Sequence, residues 1–160
     1  MKIAMYKGLY YVYISNKKAK GILTTHSEKA SNESRCKNGE YFLGIQDNEL
    51  SEIFEIRYKV KYNTGIPGVP FEWGVGSGME DVNGDTILIR FSDGFLPGWD
   101  IEEKDVCLKY VNKNDIEFGE VIKTFYKKAG VLLDSPEKVI ERVDGDTFIN
   151  IHNKFLRKNL

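Results

Sequence analysis

The segment DVNGD, residues 81–85, places side-chain oxygens at alternate positions, which is the ligand spacing of a calcium-binding loop. Such a loop also needs a glycine at its sixth position and a glutamate at its twelfth. Counted from Asp81, these positions hold Thr86 and Ser92. We therefore interpret the segment as a β-turn centred on Asn83-Gly84, and we expect no metal site.

Imidazole and thiol groups are the other candidates for chemistry, and they are few. His26 and His152 are the only histidines, so an imidazole general base would have to be one of them. Cys36 could pair with His26 as a thiol–imidazole couple, although no known motif joins them. The glycine-rich segment 74–78 lacks the Lys-Ser/Thr ending of a nucleotide-binding loop. The sequence therefore predicts a protein that is not an enzyme and uses no cofactor.

Aromatic and acidic side chains form a more informative group. The aromatic residues stand in two Gly/Pro-rich segments, 70–76 and 94–100, rather than in alternating strands. Such residues either fill a small core or anchor a partner, and tryptophan is frequent among interface hot spots. Acidic residues surround the second segment, which suits a protein partner with a basic surface. The predicted partner-binding residues are Trp73, Phe95, Trp99, Asp100, Glu102 and Glu103.

A second candidate surface is basic. Lys17, Lys18 and Lys20 form a short cationic run that could contact phosphates, with Tyr11 and Tyr13 nearby as residues that stack on bases. Across the whole chain, 23 Lys and Arg nearly cancel 24 Asp and Glu, so no global field attracts nucleic acid. Nucleic-acid binding would therefore have to depend on this local patch or on a second one near the other end of the sequence, formed by Lys154, Arg157 and Lys158.

Length and composition favour a small cytoplasmic protein. The chain has 160 residues, 41% of them hydrophobic, which is enough for one ordinary domain or two small ones. Two cysteines without a CxxC motif suit a reducing compartment. Residues 1–15 contain a Lys-Gly pair and no cleavage site, and no segment is apolar enough to span a membrane. We expect neither export nor a membrane partner.

Two short segments suggest an internal repeat. VNGDT at 82–86 recurs as VDGDT at 143–147, and alternating apolar residues follow both copies, at 87–91 and 148–151. A weaker third copy begins at Tyr6-Lys7-Gly8. The pattern predicts a repeating unit of about 65 residues in which a turn leads into a strand.

Periodicity predicts mostly strands. Residues 54–62 alternate apolar and charged side chains, and residues 9–14 form another apolar strand. Residues 118–129 are ambiguous, because their apolar spacing also fits an amphipathic helix that ends at Gly130. Ser135-Pro136-Glu137 predicts the start of a short helix, and another is expected at 27–34.

Residues 82–89, together with Asp93-Gly94 and Trp99-Asp100, resemble the strand openings of tandem SH3-like small β-barrels. The resemblance implies a mainly β fold with short helices, built from two barrel units and a partial third repeat. The first unit would span 1–65 and the second 79–160, separated by a Gly/Pro-rich loop or linker at 66–78. The alternative is a single α+β domain with a helix at 116–129.

Two functions remain. We expect a non-catalytic protein-binding module of an inhibitor or immunity type, acting as toxin immunity or as a phage-encoded inhibitor of bacterial defence, that masks a basic partner surface. The alternative is a nucleic-acid-binding small-barrel protein that uses its basic ends and tyrosine stacking. A barrel fold does not choose between them, because such folds bind peptides and nucleic acids alike.

Overall fold

The computed structural model describes the whole chain, Met1–Leu160, and is mainly β with short helices, which confirms the predicted fold class. Strands β1 to β7 are Lys2–Tyr6, Leu9–Ser15, Lys20–Thr24, Arg35–Lys37, Glu40–Gly44, Glu52–Lys61 and Glu72–Val75. Strands β8 to β13 are Val82–Asn83, Thr86–Phe91, Asp100–Glu103, Val106–Asn112, Phe118–Lys128 and Val131–Val143. Helix α1 spans Gly145–Lys154, and single 3-10 turns span Ser27–Lys29, Asp47–Glu49 and Arg157–Asn159.

The chain divides into two compact units, the first assembled from three segments and the second from two. Unit 1 comprises Met1–Ile56, Ile122–Val139 and Lys154–Leu160. Unit 2 comprises Arg57–Val121 and Ile140–Asn153. The first segment of unit 1 and the long segment of unit 2 are consecutive, and the remaining segments come from the C-terminal part of the chain. The predicted division at 66–78 stays a prediction.

The sheets are open rather than closed into barrels. The larger sheet has nine strands, eight of which follow the order β13-β12-β6-β1-β2-β3-β5-β4, while β7 pairs with β6 off this path. A separate four-stranded sheet has the order β10-β11-β9-β8. Neither path returns to its first strand, so β4 and β10 lie at sheet edges. No closed barrel is present in either sheet, and the resemblance to tandem SH3-like units stays a prediction.

Unit 1 buries apolar side chains on both faces of its sheet. One face carries a cluster of Ala4, Tyr11, Tyr13, Ile22, Ile45, Leu50 and Ile53. On the other face, Phe54 packs against Tyr10, Phe125 and Phe155, with ring centroids 5.3–5.9 Å apart. Burial on both faces explains why the predicted strand at 9–14 is apolar almost throughout, and its existence is confirmed.

Unit 2 is built around α1 and the second half of β6. Alternate residues Tyr58 and Val60 are buried while Lys59 is exposed, which confirms the period-two strand predicted at 54–62. From α1, Phe148 is fully buried and lies so close to Gly119 that a Cβ there would be 2.2 Å from the ring. A glycine at this position therefore allows the helix to approach β12.

The second copy of the VNGDT-like segment forms a different structure from the first. Gly84, with φ +60°, and Asp85 form the turn between β8 and β9, one residue later than the predicted centre at Asn83-Gly84. In the second copy, the carboxylate of Asp144 accepts the backbone N–H of Thr147 at 2.7 Å and starts helix α1. The strand predicted at 148–151 is therefore wrong, because these residues lie within helix α1, whose first turn Asp144 caps.

Two helix predictions are corrected, and the ambiguous segment at 118–129 is resolved as a strand. The alternative helix at 116–129 does not form, because β12 and β13 make a hairpin whose turn, Ala129-Gly130, has φ values of +50° and +77°. Pro136 lies inside β13 rather than at a helix start, which an edge strand tolerates because its free side needs no N–H. The helix expected at 27–34 is only the 3-10 turn Ser27–Lys29.

We expect Gly119→Ala to lower the free energy of unfolding by about 1–3 kcal/mol, because the added methyl overpacks the contact with Phe148. Gly74→Ala is the matched control, since a Cβ there meets nothing within 4 Å. Its effect should stay within about 0.5 kcal/mol. Urea unfolding monitored by circular dichroism measures both, and equal losses in the two variants would contradict the proposed contact.

Candidate functional site

The predicted acidic segment forms an exposed sheet edge in unit 2. All four residues of β10, Asp100 to Glu103, are exposed, and β10 pairs only with β11. Ile101 is 71% exposed, and Phe95, in the loop that leads to the strand, is 55% exposed. Exposed apolar side chains flanked by carboxylates at a free strand edge can form a binding surface of this unit.

The two tryptophans lie beneath this edge instead of on it. Trp73 is 4% exposed and Trp99 is 8% exposed, and their ring centroids are 5.3 Å apart. The indole N–H of Trp73 donates to the Tyr62 carbonyl at 3.3 Å. Because Trp99 directly precedes Asp100, its burial anchors the start of β10. The structure therefore brings Phe95, Asp100, Glu102 and Glu103 to the surface and places both tryptophans in the core.

An apolar row crosses this sheet and is left uncovered at β10. Cys107 on β11 is opposite Phe91 on β9 and opposite Ile101 on β10. Directly opposed residues on antiparallel strands point to the same face. Cys107 is fully buried, whereas Ile101 is mostly exposed, so the row continues to the edge without a covering residue. The sequence pattern around Trp99 did not reveal Ile101, since only the strand register identifies its face.

The Arg90 guanidinium fixes the edge to the rest of the sheet. Its Nη1 donates to the Asp81 carboxylate at 2.9 Å, and its Nε donates to Glu102 at 3.0 Å. The Asp81 side chain is 5% exposed and also accepts the backbone N–H of Gly78 at 2.8 Å. Asp81 and Glu102 raise the pKa of Arg90 through these hydrogen bonds, which keeps the guanidinium charged.

The glycine-rich segment has a related structural role. A Cβ at Gly76 would lie 2.3 Å from the Asp81 carboxylate, and one at Gly78 would lie 2.7 Å from the Glu80 carboxylate. The anion that this loop accommodates is therefore a side chain of the same unit. Asp81, which begins the calcium-like spacing, is engaged with Arg90 and Gly78.

The predicted basic patch is only partly available in unit 1. Tyr11 and Tyr13 are buried, so neither presents a ring face for stacking. The hydroxyl of Tyr13 donates to Asp47 at 2.7 Å, and Lys20 forms an ion pair with the same carboxylate at 2.7 Å. Burial alone would raise the pKa of Asp47, but the hydrogen bonds from Lys20 and Tyr13 and the charges of Lys20 and Lys127 together lower it below its ordinary value. Lys17 and Lys18 remain exposed in the turn before β3.

The two histidines lie in different units and have different surroundings. In unit 1, His26 Nε2 lies 3.0 Å from the Lys158 carbonyl. In unit 2, His152 is 1% exposed and its Nε2–H donates to the Gly76 carbonyl at 2.8 Å. Its Nδ1 is buried without a partner, as is the hydroxyl of Tyr58, whose ring centroid is 4.8 Å away. His152 is therefore a neutral core residue in this arrangement.

Burial lowers the pKa of His152, although the hydrogen bond to Gly76 and the charge of Asp81 oppose this shift. Burial also raises the pKa of Tyr58 above its ordinary value. Both groups are therefore held in their neutral forms. No group of three or more His, Cys, Asp or Glu side chains is arranged to hold a metal ion. No helix is long and apolar enough to span a bilayer.

No family model, curated protein or solved structure matches this chain.

We expect Arg90→Met to destabilise the protein by about 2–3 kcal/mol, because it leaves the buried Asp81 carboxylate without its cation. Arg142→Met is the control, since Arg142 is 66% exposed in its pair with Glu120 and its loss should cost less than about 1 kcal/mol. Denaturant unfolding compares the two. If Arg90→Met costs no more than Arg142→Met, the buried ion pair does not hold the edge.

We expect acid to destabilise unit 2 through His152. Its folded pKa lies below the unfolded value of about 6.5, so the unfolded chain takes up the proton first and stability falls as pH drops below about 6.5. The slope from this group approaches about 1.4 kcal/mol per pH unit. Unfolding measured at several pH values from about 7 to 5 should show this slope in wild type and in His26→Gln, but not in His152→Gln. An unchanged slope in His152→Gln would exclude this group as the cause.

Proposed function

We propose that this chain is a non-catalytic, cytoplasmic protein-binding module of an inhibitor or immunity type, and that β10 and Phe95 mask a basic surface of its partner. The observation that carries the proposal is the uncovered end of the apolar row at Ile101. A partner side chain placed beside it would remove apolar area from water, at roughly 25 cal/mol per Å².

Charge defines the chemistry of the partner. Asp100 and Glu103 are exposed on either side of Ile101, and Asp93 and Asp105 lie exposed in the adjoining turns. Glu102 is already paired with Arg90, so it contributes less attraction than the others. A segment with alternating basic and apolar side chains complements this edge, and the carboxylates would speed its association at low salt.

The form of the edge limits how a partner can bind. The register shifts between Ile101 and Glu103, so Glu102 bulges out of the β10–β11 ladder. Bulges and charged residues discourage indiscriminate pairing at sheet edges. We therefore expect a short extended segment of the partner that pairs with part of β10 and is anchored by side chains at Ile101 and Phe95, rather than a long added strand.

A defined peptide tests this proposal. A synthetic peptide that alternates lysine with valine should bind the wild-type protein, whereas the same peptide with glutamate in place of lysine should not. The Ile101→Lys and Asp100→Lys double variant should weaken binding at least about tenfold, or 1.4 kcal/mol, because it removes the apolar anchor and reverses one charge. Isothermal titration calorimetry gives the affinities.

The double variant Leu132→Lys with Asp134→Lys is the matched control, because it makes the same charge change at two exposed residues of β13 in unit 1. It should leave peptide affinity unchanged. Equal losses in this control and in the β10 variant would mean that the peptide senses only net charge. Absence of binding to either peptide by the wild-type protein would remove the support for β10 as a binding edge.

A further inference from the structure

Unit 1 contains an open groove between the turn before β3 and the edge strand β4. The groove has a volume of about 550 Å³, and the residues that define its character are Lys18, Lys20, Glu33, Arg35, Phe42 and Gly44. Ligand-binding clefts commonly measure about 300–1,000 Å³, so the groove has room for a nucleotide-sized group. Three of these side chains are cationic, and Glu33 is the acidic one.

Phe42 forms the floor of the groove. It lies on β5, opposite Leu23 on β3 and Arg35 on β4. A Cβ on Gly21 would be 2.8 Å from Cζ of the ring, and one on Gly44 would be 4.0 Å from Cε1. The ring therefore lies over two glycines, where any larger side chain at Gly21 would displace it. Phe42 is only half-buried, so part of its ring remains accessible from the groove.

The cations are held at the rim by ordered turns. The Asn16 side chain accepts the backbone N–H groups of Lys18 and Ala19 at 2.8 and 2.9 Å, which fixes the turn that carries Lys18. On the other side, Arg35 lies at the start of β4, directly across from Phe42. Lys20 is bound to Asp47, so Lys18 and Arg35 provide most of the charge available to a ligand.

We propose that this groove binds single-stranded nucleic acid, with a base stacked on Phe42 and phosphates contacted by Lys18 and Arg35. An aromatic floor between cations is the combination that single-strand binders use, because every base has a face that can stack. A duplex does not fit this chemistry, since its bases are already stacked on one another. The site differs from the sequence prediction in its stacking residue, because Phe42 takes the place that the buried Tyr11 and Tyr13 cannot fill.

Fluorescence anisotropy with a labelled oligothymidylate of about twelve nucleotides tests the proposal, because single-strand sites commonly cover about 4–16 nucleotides. Arg35→Glu and Lys18→Glu should each weaken binding at least about tenfold, and Phe42→Leu about fivefold or more. Phe42→Tyr keeps an aromatic floor and should retain the affinity. Raising salt from about 50 to 200 mM should weaken wild-type binding roughly tenfold or more.

Controls separate this site from general charge effects and from simple anion binding. Lys104→Glu makes the same charge change on the exposed turn of unit 2 and should leave the affinity unchanged. Circular dichroism should show the same thermal midpoint for the charge variants as for wild type. The proposal is overturned if wild type does not bind, if Lys104→Glu matches Arg35→Glu, or if inorganic pyrophosphate competes while Phe42→Leu binds as well as wild type.

Discussion

The arrangement of unit 2 depends on the ion pairs that the Arg90 guanidinium forms with two carboxylates. The guanidinium joins the Asp81 carboxylate, which is buried beside the 76–78 glycines, to Glu102 on the edge strand β10. A buried carboxylate is costly unless it is paired and hydrogen-bonded, so the glycine-rich loop, β9 and β10 are coupled through one cation. Trp99 fixes the start of the same strand by its burial against Trp73. The exposed edge thus rests on a rigid support.

Positive and negative surfaces are separated by unit, although the whole chain has a formal net charge of only −1. The acidic edge and Ile101 belong to unit 2, whereas the groove around Phe42 belongs to unit 1. Each surface combines an accessible apolar group with charges of one prevailing sign. Balanced total charge therefore excludes a global electrostatic field but leaves room for two local binding sites of opposite preference.

Sequence patterns predicted those elements whose environment is simple. The strand at 54–62 has one buried set of alternate residues and was predicted correctly, and the turn predicted at Asn83-Gly84 lies one residue later, at Gly84-Asp85. Helix α1 was missed because the repeat pattern predicted a strand where Asp144 caps a helix. Strand β13 was missed because Ser135-Pro136-Glu137 has the pattern of a helix start, whereas Pro136 lies on an edge strand, which tolerates proline. The candidate site was found only in part, since burial of the tryptophans and the register of Ile101 arise from tertiary packing.

Hydrogen exchange of the β10 amides in the presence of the alternating lysine–valine peptide tests the central claim most directly. If β10 is the binding edge, amides of Asp100 to Glu103 that exchange freely in the unbound protein should become protected, while those of the equally exposed edge strand β4 should not change. Protection confined to β4, or none at β10 when the peptide is bound, would contradict the assignment of this edge as the site of partner recognition.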